Sequence, residues 1–225
     1  MNSSYKIFDK FYSKNEKIAQ NGAKHYLSST SLRKDEAIAL HNMILKYKPI
    51  KTLEIGLALG ASALAIASAK IFYTKNSHIA LDPFQDRADF LGLTEIESFG
   101  LQNLVDHHSA FSEIFLNQAY AENSFFDFVF IDGNHTIGQA VTDVFLSDKV
   151  LNIGGIIAIH DSMLFSTAAS IKYLVLEQGY EVIDQNCRNF KTVGRQIKYL
   201  SKLGIWYSKN IIPKLSNSVV FLRKR

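Results

Sequence analysis

The spacing of apolar positions changes near residue 50. In residues 32–47, Ala37, Leu40, Ile44 and Tyr47 recur every three or four positions, which marks one helical face. Thr30 or Ser31 can cap the start of this helix, and Pro49 stops it. Residues 1–48 read as a helical preface that packs on, or lids, the remainder of the chain. Beyond residue 50, short apolar runs alternate with helical stretches. Strands are expected at 51–55, 78–81, 104–108, 125–131, 156–159, 180–184 and 218–222. Helices are expected at 62–72, 136–146 and 167–178, with a helical or irregular stretch leading to Gly100. Residues 125–131 are apolar and aromatic, as in a central strand covered on both faces. The alternation predicts an α/β fold with a doubly wound, mostly parallel sheet. Residues 186–216 read as a helical insertion. The preface 1–48 is expected to belong to the same domain as 49–225.

The chain has 225 residues, 47% of them apolar, enough for one sizeable core. No apolar run is long enough to span a bilayer, and residues 1–17 lack the apolar centre of a signal peptide. Cys187 is the single cysteine, so no intrachain disulfide can form. A cytoplasmic location is the expectation. The net charge of +4 is dispersed. Its one dense cluster, Arg223-Lys224-Arg225, reads as a solvated tail, so neither nucleic acid nor a membrane is an expected partner.

Candidate chemistry gathers in two places. The first is Thr52-Leu53-Glu54-Ile55-Gly56-Leu57-Ala58-Leu59-Gly60-Ala61-Ser62, running off a strand into a helix. Gly56 permits a sharp turn, and Gly60 permits close approach of either a ligand or a neighbouring helix. The helix start offers free N–H groups, with Ser62 adding a hydroxyl. The spacing is not the Gly-x-Gly-x-x-Gly of dinucleotide binders, and no phosphate-loop lysine follows. Glu54 would repel a pyrophosphate but suits a sulfonium ligand with a free amine. The second is Asp82, at the end of the next strand, where a carboxylate can accept two ribose hydroxyls or simply cap its turn. Together they point to an adenosine-containing ligand.

With these motifs go Asp82-Pro83-Phe84, Phe126-Asp127-Phe128-Val129-Phe130-Ile131-Asp132-Gly133-Asn134-His135 and Gly154-Gly155-Ile156-Ile157-Ala158-Ile159-His160-Asp161-Ser162. In this set the chain resembles class I S-adenosylmethionine-dependent methyltransferases. It looks most like the small-molecule O-methyltransferase branch of catechol and caffeoyl-CoA enzymes, and the bacterial family with Asp-Gly-x-His and a later His-Asp. The resemblance covers residues 50–185. It implies a Rossmann-like, seven-stranded sheet with the last strand antiparallel. It also implies methyl transfer from S-adenosyl-L-methionine to a small-molecule acceptor, with a hydroxyl oxygen as the expected receiving atom.

By the same resemblance, Glu54, Gly56, Leu57, Ala58, Gly60 and Ser62 surround the methionine part. Asp82, followed by Pro83, holds the ribose, and Ala110 and Phe111 contact adenine, although His108-Ser109-Ala110-Phe111 departs from the usual wording. Asp132 faces the amine or a metal. Catechol-type relatives hold a divalent ion with two aspartates and an asparagine, and the matching trio here is Asp132, His160 and Asp161. An imidazole in that set moves the preference from Mg²⁺ toward Mn²⁺, Fe²⁺ or Zn²⁺. Alternatively, His160 bonds Asp132 with no metal. His135 stands where relatives carry a catalytic lysine and can act as base, or it belongs to a helix start. His107 and His108 read as structural, and His25, His41 and His78 carry no signal. Tyr5, Phe8, Phe11, Tyr12, Phe190, Trp206 and Tyr207 fit an acceptor pocket, a core or a homodimer interface equally. Competing classes are a hydroxylase-like relative of the fold, a non-catalytic cofactor-binding module and a nicotinamide oxidoreductase.

Overall fold

A computed structural model describes residues 5–183 and 218–225. The expected insertion at 186–216, with Cys187, Phe190, Trp206 and Tyr207, lies outside the described residues. In chain order the elements are α1 (Lys6–Phe11), β1 (Glu16–Ile18), β2 (Lys24–Tyr26), α2 (Leu27–Thr30), α3 (Lys34–Tyr47), β3 (Thr52–Ile55), α4 (Ala61–Lys70) and β4 (His78–Leu81). Next are a 3₁₀ turn (Gln85–Ala88), α5 (Leu91–Ser98), a second 3₁₀ turn (Gln102–Leu104), β5 (Val105–His108) and α6 (Ser112–Ala121). Then come β6 (Phe126–Ile131), α7 (Ile137–Val150), β7 (Leu151–Ile159), α8 (Phe165–Leu176), β8 (Glu181–Val182) and β9 (Val220–Arg223). Seven strands form a mixed sheet in the order β5-β4-β3-β6-β7-β9-β8. The pairs β3–β4, β4–β5 and β6–β7 are parallel, while β9 runs antiparallel to both β7 and β8. This is the expected α/β sheet with its last strand reversed. No helix among the described residues is long and apolar enough to cross a membrane.

The chain divides into two compact units, Met1–Ser112 and Glu113–Arg225. In the first, the preface is not wholly helical, as expected, but carries the β1–β2 hairpin between α1 and α2. Its turn is closed by Gly22 N–H donating to Ala19 O at 2.9 Å, and Gly22 lies at φ +85, a conformation that favours glycine. Arg33, rather than Thr30 or Ser31, is the N-cap of α3, and its N–H donates to Glu36 Oε2 at 2.8 Å. Lys48 ends the helix with left-handed φ 50, just before Pro49. Ala37, Leu40 and Ile44 are buried as expected. Every residue of α4 is buried, and its alanines allow close packing against the sheet.

In the second unit, β6 is buried almost throughout. Helix α6, unpredicted, buries Leu116 and Ala119. The basic C-terminus is not the solvated tail expected of it. Arg223 pairs with Glu181 at 2.9 Å, and Lys224 Nζ donates to the carbonyls of Asp148 (2.6 Å) and Leu151 (3.2 Å). Lys224 also lies 3.1 Å from the Asp148 carboxylate. Tyr180 donates to that carboxylate at 2.7 Å, and burial together with the Asp148 bond pushes the phenol far above its ordinary range.

Candidate functional site

In the first unit, β3 and β4 run parallel with Ile55 opposite Leu81. The glycine loop and Asp82 therefore leave the same sheet edge together. Gly56 N–H donates to Leu81 O at 2.9 Å, and the loop then passes through left-handed Ala58 (φ 44). Gly60 (φ +83) is close-packed: a Cβ there would meet the Gly92 carbonyl oxygen at 2.8 Å. Of the two approaches open to Gly60, the structure shows this one to α5. The Asp82 carboxylate ties the loop down. Its Oδ2 accepts Ala58 N–H at 2.9 Å and Gln85 Nε2 at 2.8 Å, and its Oδ1 accepts Phe84 N–H at 2.8 Å. His107 Nε2 lies 2.9 Å from the Asp82 carbonyl oxygen, which gives this strand histidine its structural job.

Gly56, Ala58, Asp82 and Pro83 are partly exposed, whereas the Leu57 side chain and Ser62 are buried. Leu57 can therefore offer only backbone to a ligand. Ala110 is partly exposed and Phe111 exposed. The Phe111 ring meets Phe84 edge-on at 5.7 Å, and Arg87 covers Phe84 at 4.1 Å. The two rings stand at 81° to each other, so they form a T-shaped pair beside the end of β4.

Glu54 is fully buried, and neither carboxylate oxygen has a hydrogen-bond partner among the described residues. Its neighbour is His78 Nε2 at 3.5 Å. Behind it, His78 Nδ1 lies 3.0 Å from Thr52 Oγ1, which accepts Lys70 Nζ at 2.8 Å. Lys70 also donates to Ile50 O and Ser77 O. Strand alternation puts Thr52 and Glu54 on one face. A buried carboxylate is costly without a partner, and the group the structure places beside it is the equally buried His78 imidazole. Neither His78 nor Lys70 stood out by motif, since their meaning comes from burial.

In the second unit, Asp132 succeeds β6 while His160 and Asp161 succeed β7, with Ile131 opposite Ile159. His160 N–H donates to Ile131 O at 3.0 Å. The groups that converge are Asp132, His135 and Asp161, whose ligand-type atoms lie within 4.8 Å of one another. His135 Nε2 stands 3.1 Å from Asp161 Oδ2 and 3.8 Å from Asp132 Oδ1. His160 buttresses this group, with Nδ1 2.9 Å from Asp132 Oδ1 and Nε2 3.2 Å from Ser218 Oγ. His135 thus joins Asp132 and Asp161 of the expected trio, while His160 Nδ1 also stands within 3.6 Å of the Asp161 carboxylate. The hydrogen bond to Asp161 raises the His135 pKa above its ordinary value; desolvation and His160 oppose this. Two carboxylates flanking an imidazole favour a cation here, either a proton or a metal. Asp161 is held at φ 48, and Thr167 Oγ1 donates to its carbonyl. Ser166 Oγ donates to His135 O at 2.8 Å, fixing the loop from α8. Thr136, not His135, is the N-cap of α7.

Residues 53–162 match a family model described as a methyltransferase domain. No curated protein matches the chain's sequence closely enough to count as a relative. Among solved structures, a cofactor-bound protein from MTB is 14% identical, with a TM-score of 0.63, over 88% of this chain and 83% of its own. The O-methyltransferase from Bacillus cereus, in complex with SAH, is 14% identical, with a TM-score of 0.60, over 100% of this chain and 92% of its own. The O-methyltransferase TomG from Streptomyces achromogenes, in complex with SAM, is 12% identical, with a TM-score of 0.57, over 100% of this chain and 90% of its own. The chain therefore has the fold of these solved structures, and its residues 53–162 are similar to a methyltransferase domain.

Proposed function

We propose that this chain transfers the methyl group of S-adenosylmethionine to a hydroxyl oxygen of a small-molecule acceptor. The observation that carries the reading is Asp82, placed at the end of β4 and bonded to the Ala58 N–H of the glycine loop. One side chain thereby organises both the ribose site and the loop beneath the sulfonium. Phe111, which meets Phe84 edge-on, is the residue expected at the donor's adenine. In the reaction the acceptor oxygen attacks the methyl carbon in line, the S–C bond breaks with its electron pair left on sulfur, and the hydroxyl proton passes to a base. The protein's main contribution is alignment of the reacting atoms. The family match over 53–162 and the O-methyltransferases among the similar structures support this reading.

Asp132, His135 and Asp161 offer two carboxylates and an imidazole at mutual distances that fit one divalent ion, and the nitrogen favours Mn²⁺, Fe²⁺ or Zn²⁺ over Mg²⁺. When bound, such an ion would acidify and orient the acceptor hydroxyl. His160 and Ser218 hold Asp132 in place for that role. If EDTA leaves turnover intact, the proton instead goes to His135, paired with Asp161. The central test is calorimetry with S-adenosylhomocysteine. Binding is expected, and Asp82→Ala should weaken it by about 100-fold, the worth of one to two hydrogen bonds to a charged group. No heat with the wild-type protein at millimolar ligand overturns the assignment.

A further inference from the structure

Gln85 has no place in any recognised motif, yet it is 2% exposed and sits at the centre of the donor site. Its Nε2 donates twice, to Ala58 O at 2.9 Å and to Asp82 Oδ2 at 2.8 Å. Both partners are acceptors, so the amide orientation is fixed by chemistry, with Oε1 turned toward Gly92. Oε1 is buried and has no partner among the described residues. Gln85 therefore accepts an unsatisfied oxygen in order to bridge the loop and the acid. Ala58 is gripped from both sides, its N–H by Asp82 and its C=O by Gln85, which accounts for a non-glycine residue held at φ 44.

The same bonds divide the labour of the Asp82 oxygens. Each carboxylate oxygen has about two in-plane acceptor directions. Oδ2 already takes two donors, Ala58 N–H and Gln85 Nε2, whereas Oδ1 takes only Phe84 N–H. We infer that Gln85 is a positioning residue that saturates Asp82 Oδ2, so that Asp82 recognises a single ribose hydroxyl, through Oδ1. This rests on the proposed binding of an S-adenosyl donor and adds to it a rule of ligand specificity. The two-hydroxyl grip that the sequence suggested for Asp82 is replaced by a one-hydroxyl grip, with the second oxygen assigned to the protein's own loop.

The test measures the affinity of S-adenosylhomocysteine and of its 2′-deoxy and 3′-deoxy analogues by calorimetry. For the wild-type protein, removal of one hydroxyl should cost about tenfold or more, the value of a charge-assisted hydrogen bond, and removal of the other well under that. Gln85→Met, which keeps volume but cannot donate, should weaken S-adenosylhomocysteine and narrow the gap between the two analogues. Gln85→Glu places a carboxyl against two acceptors, so its affinity should recover as pH falls from 8 to 6 and that carboxyl takes up a proton. A purely structural role would not produce that recovery at constant fold by circular dichroism. Equal losses for the two analogues in the wild type overturn the inference, as does an unchanged gap in Gln85→Met. If Gln85→Met does not fold, the wild-type comparison decides alone. Failure of the wild-type protein to bind S-adenosylhomocysteine at all is a different result, and it overturns the donor assignment on which the inference rests.

Discussion

Gly60→Ala should be among the most damaging single-methyl additions in the first unit, and the reason can be separated into two parts. At φ +83 an added Cβ crowds its own backbone, at roughly 1–2 kcal/mol. It would also stand 2.8 Å from the Gly92 carbonyl oxygen, which is backbone and cannot rotate away. Overpacking of this kind costs a further ~1–3 kcal/mol, for a total of about 2–5 kcal/mol. Gly22→Ala is the internal control, since φ is +85 but nothing lies within 4 Å of the added atom. It should cost only about 1–2 kcal/mol, the conformational part. The entropy that alanine removes from the unfolded chain is common to both and cancels in the difference. Urea unfolding at fixed pH, with m-values checked for equality, should place Gly60→Ala below Gly22→Ala by about 1–3 kcal/mol. Only the former should lose S-adenosylhomocysteine affinity. Two midpoints that coincide would refute the claim that the glycine loop is packed on α5.

Tyr180→Phe removes the donor to the buried Asp148 carboxylate and leaves Lys224 as its remaining charged partner; urea melts should show a loss of about 1–3 kcal/mol. His41 is wholly buried, and desolvation lowers its pKa despite the bond to Ala65 O. The unfolded chain therefore binds a proton that the folded chain refuses, so this contribution is complete above the ordinary value of 6.5 and is lost as pH falls below it. The wild type should lose more stability between pH 7.5 and 5 than His41→Leu does, and parallel pH profiles would contradict this. Calorimetric titration with Mn²⁺ should show one site per chain. Asp132→Asn and Asp161→Asn should each weaken it by about 10-fold or more, roughly the effect of losing a ligand charge, and unchanged binding in both variants would remove the metal from the proposal.

The order of strands and helices was legible because it rests on local periodicity. Residues 78–81 and 126–131 are strands with nearly the expected bounds, since short apolar runs bounded by turn residues fit a buried strand. The glycine loop, Asp82 and the Asp132 and His160-Asp161 strand ends were legible because ligand chemistry in α/β sheets gathers at the carboxyl ends of strands. The β1–β2 hairpin differs from the helical reading of 1–48 because the helical spacing of residues 32–47 does not extend to 16–26, where Asn21-Gly22 signals a turn. Arg223 and Lys224 read as a tail by composition, yet their partners Glu181 and Asp148 lie 42 and 76 positions away, a pairing that local sequence does not encode.

Residue types and local spacing determined by themselves that a turn succeeds β3 and that an acid ends β4. They also determined that carboxylates and histidines gather at the ends of β6 and β7. Only the tertiary structure decided which of those groups meet. His135 gathers with Asp132 and Asp161, with His160 beside them. Gln85 shares Asp82 with the loop, and Glu54 is sealed beside His78 with no hydrogen-bond donor among the described residues. The physical reason is that strand and helix spacing specify the direction of a side chain within its own element. Hydrogen-bond partnership and desolvation depend on distances between elements that are far apart in the chain.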